Sequence, residues 1–518
     1  MNLVGICLNS SLLLFLLISL QQWVFPIIPC RATTTGQAQR LHSFITSNFI
    51  SPNSNNNINL PLSEEWPELH QEDVARDFLS SSSSSSSSSV YVGQQERLRK
   101  ADKIVSLPDQ PPGVDFDQYS GYVTVDPKAG RSLFYYFVES PHNSSSKPLI
   151  LWLTGGPGCS SLGNGALLEV GPFKVKSDGK TLYKNEYAWN KVANILFLDS
   201  PAGVGYSYSN ATSDYNNTGD KGTAKDAHTF LVNWLQRFPH YKTRDFYIVG
   251  ESFGGHFVPQ LAYTILAHNT ISKHTPINLK GIAIGNGLLD NDLALKGNME
   301  YLWAHAMISD ETHAGINKYC DFARSNYPAT CSKYTLLSLL EGGPVSIVYI
   351  HNSYCNPNAT KPKPPGSVYD ECAGLYVQAY LNRKNVQKAF HAVRTNWTTC
   401  STKVGLKNWK DAPRTMVPLL KQLIAKKLNI WLYSGDADAL ISVTSTRLVI
   451  NSMKLPVVTP WRPWLSKGGQ EVGGYVEEYK GLTLVTIRNA GHAPSIYQPE
   501  RAFTMVTSFL QGKLPPST

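Results

Sequence analysis

From Ala101 onward the chain repeats one pattern: a short, largely hydrophobic run of strand length, then a longer stretch with helical spacing. The runs are Pro148–Leu153, Ala193–Leu198, Phe246–Val249, Leu279–Ile284, Leu428–Tyr433 and Leu482–Ile487. The helical stretches include Thr223–Phe238, Phe257–His268, Met416–Lys427 and Val443–Met453. Largely hydrophobic runs suit strands buried on both faces, and helices between them supply the crossovers that parallel pairing requires. The expected fold class is therefore α/β, with a mostly parallel central sheet flanked by helices. Between about residues 291 and 409 the alternation breaks, and most of the cysteines fall there. That segment reads as an inserted cap region over the site. Its Pro-rich piece, Asn356 to Gly366, reads as an exposed loop open to cleavage.

Within this pattern one turn stands out. Phe246–Val249 runs directly into Gly250-Glu251-Ser252-Phe253-Gly254, and a helix is expected to open at Gly255. A serine between two glycines, after a strand and before a helix, has the form of a nucleophile elbow, which exposes a hydroxyl at the sheet edge. A hydroxyl attacks a carbonyl only with a base beside it. Two later loops offer the partners, each after an expected strand: Ser434-Gly435-Asp436-Ala437-Asp438, then Asn489-Ala490-Gly491-His492. The order serine, acid, histidine fits, and the C-terminal ends of strands are where open α/β sheets hold their sites. A third loop, Thr154-Gly155-Gly156-Pro157-Gly158-Cys159-Ser160-Ser161, can bring backbone N–H groups to a developing oxyanion. The expected donors are Gly156 and Phe253, the latter following the nucleophile. The loop has neither glycine-rich phosphate-binding spacing, so no nucleotide cofactor is expected, and no metal.

The rest of the chain bears on export. Leu12 to Leu20 is apolar but too short to cross a bilayer, and Cys30-Arg31-Ala32 follows, so residues 1–32 read as a signal peptide. Its first residues carry no Lys or Arg, which departs from the usual form. Residues 33–100 include Asn53 to Asn59 and the serine run Ser80 to Ser89, a low-complexity spacer or propeptide with too little apolar surface to fold. Six cysteines remain beyond the leader, at 159, 320, 331, 355, 372 and 400. None forms a C-x-x-C pair, which favours disulfides over metal chemistry and leaves their connectivity open. Sequons at Asn143, Asn210, Asn216, Asn358 and Asn396 are candidate glycosylation sites. The net charge of +9 is spread without a sustained basic cluster, so nucleic acid is not an expected partner. No membrane span is expected, and assembly as a homodimer is left open.

Residues from about 101 to 515 resemble the serine carboxypeptidase family, specifically its plant serine carboxypeptidase-like branch. The resemblance is carried by residues 151–161, by Gly250-Glu251-Ser252-Phe253-Gly254-Gly255-His256, by Gly435-Asp436-Ala437-Asp438 and by Ala490-Gly491-His492. Asp199-Ser200-Pro201-Ala202-Gly203-Val204-Gly205 and Ile284-Gly285-Asn286-Gly287 support it. It implies an α/β-hydrolase fold for residues 101–518 and a secreted or vacuolar glycoprotein that releases C-terminal residues from peptides or proteins, usually at acidic pH. It further implies a Ser252, Asp438, His492 triad, with Asp436 left to fix the turn. It also implies the pairs Cys159–Cys400, Cys320–Cys331 and Cys355–Cys372, and assigns Glu251, Thr154 and Trp152 to the substrate's carboxylate. A glutamic acid donates to a carboxylate only while protonated, so acid-favoured binding is expected.

Several residues depart from the family pattern. Thr154 stands where the peptidases usually have Asn and where the family's acyltransferases, which use glucose esters, often have Thr. Glu251 points the other way, because those acyltransferases commonly carry Asp there. Ala493-Pro494-Ser495 and Ile441-Ser442 replace more usual sequences beside the histidine and the acid. The leading expectation is a peptidase, with an acyltransferase second and a non-catalytic secreted binding protein third.

Overall fold

The computed structural model describes residues 90–271, 276–323, 327–356, 369–404 and 409–517. The expected signal peptide, most of the low-complexity spacer, Asn358 and most of the Pro-rich loop lie outside the described residues.

The large sheet has eleven strands. Its six parallel members are β4 (Leu149–Thr154), β7 (Asn194–Leu198), β8 (Phe246–Glu251), β9 (Leu279–Gly285), β10 (Asn429–Gly435) and β13 (Leu482–Ile487). They lie in the spatial order β7-β4-β8-β9-β10-β13. Antiparallel strands extend both sides. β1 (Lys103–Ile104), β2 (Gln118–Asp126) and β3 (Arg131–Val138) continue from β7; β12 (Glu471–Tyr479) and β11 (Val457–Ser466) continue from β13. A separate hairpin pairs β5 (Phe173–Val175) with β6 (Leu182–Lys184).

All six runs expected as strands form the parallel centre, and the four expected helices are present to within a few residues. The outer antiparallel strands escaped the sequence reading, including β3, although its Leu133–Val138 is an unbroken and fully buried apolar run. The side chains of β4 show why the central runs are hydrophobic: Leu149, Leu151 and Leu153 enter one core cluster, while Ile150 and Trp152 enter the other. Period-two alternation thus feeds two apolar layers rather than one apolar and one wet face.

Helices Asp220–Arg237, Gly254–Ile271, Val417–Ala425 and Val443–Met453 pack on one face of the sheet. Helices Ser161–Glu169, Ala373–Leu381 and Pro499–Leu510 pack on the other. Parallel crossovers covering both faces of a mixed sheet make this an α/β-hydrolase fold. Between β9 and β10 lie helices such as Asn291–Ala304, Asp310–Tyr319 and Ala329–Glu341, and no described strand of the large sheet. The three disulfides join Cys159–Cys400, Cys320–Cys331 and Cys355–Cys372.

Candidate active site

The turn after β8 has the geometry of an elbow. Ser252 adopts φ 62°, a left-handed conformation rare for a side-chain-bearing residue. It is held from both sides: Ser252 N–H donates to Gly285 O (3.0 Å), and Leu288 N–H donates to Ser252 O (2.9 Å). The glycines around it are needed for close approach. A Cβ on Gly250 would stand 2.6 Å from Leu153 O, and one on Gly255 would stand 2.3 Å from Leu288 O.

Asp438, beyond β10, is fully buried. Its carboxylate accepts from His492 Nδ1 (2.8 Å), Asn286 Nδ2 (2.8 Å), Leu440 N (2.9 Å) and Ile441 N (3.2 Å). Burial pushes its carboxyl up, while His492 and those N–H groups pull it down. Asp436 instead accepts from Asn489 N–H (2.6 Å) and so ties the acid loop to the histidine loop. His492 is itself anchored by its N–H on Val348 O (2.7 Å). The next segment joins in, with Ile350 N–H on Ala437 O and Ala439 N–H on Ile347 O. Residues 347–350 thus clip the acid and histidine loops together from the region between β9 and β10. Ser252 Oγ and His492 Nε2 are buried, and neither has a hydrogen-bond partner among the described residues.

The loop after β4 lies against the elbow. A Cβ on Gly155 would fall 2.3 Å from Phe253 N, and Gly156 holds φ 117°, a conformation that favours glycine. The loop is fastened on its far side by Ser401 N–H on Gly158 O (2.8 Å), Ser160 N–H on Thr399 O (2.9 Å) and the Cys159–Cys400 bridge.

Thr154 is the register partner of Glu251 across β4 and β8. Its hydroxyl accepts from Trp152 Nε1 (2.9 Å), which leaves its own proton to donate. Trp152 therefore orients Thr154, its indole N–H being used within the protein. Glu251 is fully buried and its carboxyl faces that of Glu169, the last residue of the helix Ser161–Glu169. Glu169 also accepts from Ser495 Oγ (3.2 Å), and burial pushes its carboxyl up to about 7. Glu169 was missed in the sequence. Its one signal was a charged residue closing a stretch, Ser161–Leu168, otherwise without charge. Asn286 was seen only as part of a Gly-Asn-Gly match; its amide bridges Asp438, Ser434 and Ile441 O.

The remaining candidates fall away from this centre. Asn143, Asn210, Asn216 and Asn396 are exposed. Ser442, one of the departures beside the acid, caps the helix Val443–Met453 by accepting from Ser445 N–H. Among the described residues no cluster of His, Cys, Asp and Glu is arranged to hold a metal ion, and no helix is long and apolar enough to cross a membrane.

Comparison with known proteins places this geometry. The family model described as serine carboxypeptidase matches residues 108–512. Among curated proteins, "Serine carboxypeptidase-like 40" of Arabidopsis thaliana is 48% identical over 436 residues, 82% of this chain and 85% of that protein. "Serine carboxypeptidase 24" of the same plant is 45% identical over 438 residues, 80% of this chain and 93% of that protein. Among solved structures, the prohormone-processing carboxypeptidase Kex1 of Saccharomyces cerevisiae covers 80% of this chain and 96% of its own, with a TM-score of 0.68 and 23% identity. That last likeness shows the fold. With the family model spanning most of the chain, and with relatives near half identity, the protein belongs to the serine carboxypeptidase family and is a serine-type hydrolase.

Proposed function

We propose that this enzyme releases C-terminal residues from peptides through an acyl-enzyme on Ser252. His492 Nε2 takes the serine proton as Oγ attacks the scissile carbonyl, then gives it to the departing amine. Asp438, bonded to Nδ1, holds the ring in that tautomer and steadies the imidazolium. The N–H groups of Gly156 and Phe253 are assigned to the oxyanion. Water then enters on His492 and the acyl group leaves.

The observation that carries the exopeptidase reading is the buried carboxyl pair Glu251–Glu169 beside the elbow, with Thr154 opposite. An anionic C-terminus is bound by such a pair only when the pair supplies protons. With Glu169 pushed up to about 7, this donor state is present below that pH and is lost above it. Acid-favoured activity follows. It suits the secretory or vacuolar setting that the disulfides and exposed sequons support.

A second reading, acyl transfer from a glucose ester to an alcohol, is favoured by Thr154, whose short hydroxyl replaces a longer amide. Both readings are tested by offering the protein a blocked dipeptide and a glucose ester at acidic and neutral pH, with Ser252→Ala alongside. Peptide cleavage at acid pH, absent in the variant, is expected. Ester-dependent product without peptide cleavage would overturn the peptidase assignment.

A further inference from the structure

Ser495 belongs to the segment Ala493-Pro494-Ser495, one of the departures noted beside the histidine, and its side chain has a definite position. It is buried and donates to Glu169 Oε2 at 3.2 Å, across 326 residues of sequence. We propose that Ser495 is a positioning residue for the carboxylate pocket. Its hydroxyl fixes where the proton of the Glu169–Glu251 pair resides, and so sets the upper pH at which a free substrate carboxylate is accepted. The inference rests on the exopeptidase reading of that pocket.

The argument is one of proton count. Two facing buried carboxyls cannot both ionise cheaply, so the empty pair holds one proton between them. A bound carboxylate needs an O–H from Glu251, and Glu251 then needs an O–H from Glu169. The occupied site therefore holds two protons on the pair, and binding takes up one. Any donor that stabilises the Glu169 anion opposes this uptake and moves the upper limit to lower pH. Ser495 is such a donor.

The other groups facing Glu169 are Glu251 on β8, Lys174 on β5, His492 after β13, Tyr433 on β10 and Tyr369 ahead of the helix Ala373–Leu381. Of these, Glu251 lowers the Glu169 carboxyl most, and His492 and Lys174 also act in the same direction as Ser495, by charge rather than by a hydrogen bond. Removing the serine hydroxyl changes only the hydrogen bond.

The test is calorimetric binding of an N-blocked amino acid and of its amide to Ser252→Ala protein between pH 4 and 8. It is repeated with Ser495→Ala and with Ser495→Thr added, and in buffers of differing ionisation enthalpy. The blocked acid is expected to bind with uptake of about one proton. Its affinity should fall above a midpoint that Ser495→Ala raises by about one pH unit, which is about tenfold tighter binding above that midpoint. Ser495→Thr, which keeps a hydroxyl, should restore the original midpoint. Steady-state cleavage by Ser495→Ala should show the same displacement in KM rather than in kcat. An unmoved midpoint with the acid still preferred over the amide would overturn the role of Ser495 alone. Equal binding of acid and amide throughout would overturn the carboxylate pocket and this inference with it.

Discussion

At the residue scale the site is a set of single hydrogen bonds with separable effects. Asn286 is the clearest case, because its amide fixes Asp438 without reaching the serine. Replacing it with Ala removes one donor to a buried carboxylate, an interaction worth about 2 kcal/mol. Asn286→Ala is therefore expected to lower kcat by about 30-fold with a smaller change in KM, read from steady-state kinetics on a blocked dipeptide. An equal loss in KM would point to substrate binding instead. On the proposed exopeptidase reading, Thr154 serves recognition. Asn at this position extends an amide toward the same carboxylate, so Thr154→Asn is expected to lower peptide KM several-fold. A raised KM would show that the pocket is shaped for another group.

At the scale of elements, the helices Asp220–Arg237 and Gly254–Ile271 meet through the stacked rings of His228 and His268, with centroids 4.2 Å apart. Burial, with His268 nearby, pushes His228 down to about 3. The folded value lies below the unfolded one, so the unfolded chain takes the proton first. Stability is then lost as pH falls from about 6.5 toward 3. The effect is on the order of a few kcal/mol across that window. His228→Phe, which keeps a stacked ring but cannot charge, is expected to lose less Tm than the native protein between pH 7 and 4.5. Identical losses would remove His228 from the acid response. This contact joins the helix that follows the elbow to its neighbour, so acid reaches the scaffold of Ser252 as well as its pocket.

At the scale of the molecule, Cys159–Cys400 closes a loop of 241 residues and ties the glycine loop after β4 to the end of the inserted region. On the chain-entropy account, a loop of that length restricts the unfolded chain by about 5 kcal/mol. The double variant Cys159→Ser, Cys400→Ser is expected to melt at clearly lower temperature and, while folded, to lose kcat as Gly155 and Gly156 loosen against Phe253. A melt unchanged from the native protein would show that the hydrogen bonds at Gly158 and Ser160 suffice.

Much of this was legible beforehand. The six largely hydrophobic runs argued for doubly buried strands and all form the parallel centre, and the candidate order Ser252, Asp438, His492 was read from loops at the C-terminal ends of three of them. The outer strands β2, β11 and β12 were not legible, because polar, glycine or proline residues interrupt their apolar character, whereas β3, with its apolar Leu133–Val138, was passed over. The hydrogen bond from the Trp152 indole N–H to Thr154 was not legible either, because it joins two residues of one strand through their side chains.

The sequence by itself determined the doubly wound core and offered Ser252, Asp438 and His492 as the candidate triad, because apolar periodicity and glycine punctuation are local properties of a chain. Only the tertiary structure decided what Glu251 faces. Glu169 and Ser495 meet 326 residues apart, and residues 347–350 reach back over His492. The behaviour of a buried carboxyl is set by the charges and donors folded against it, and no local pattern encodes them.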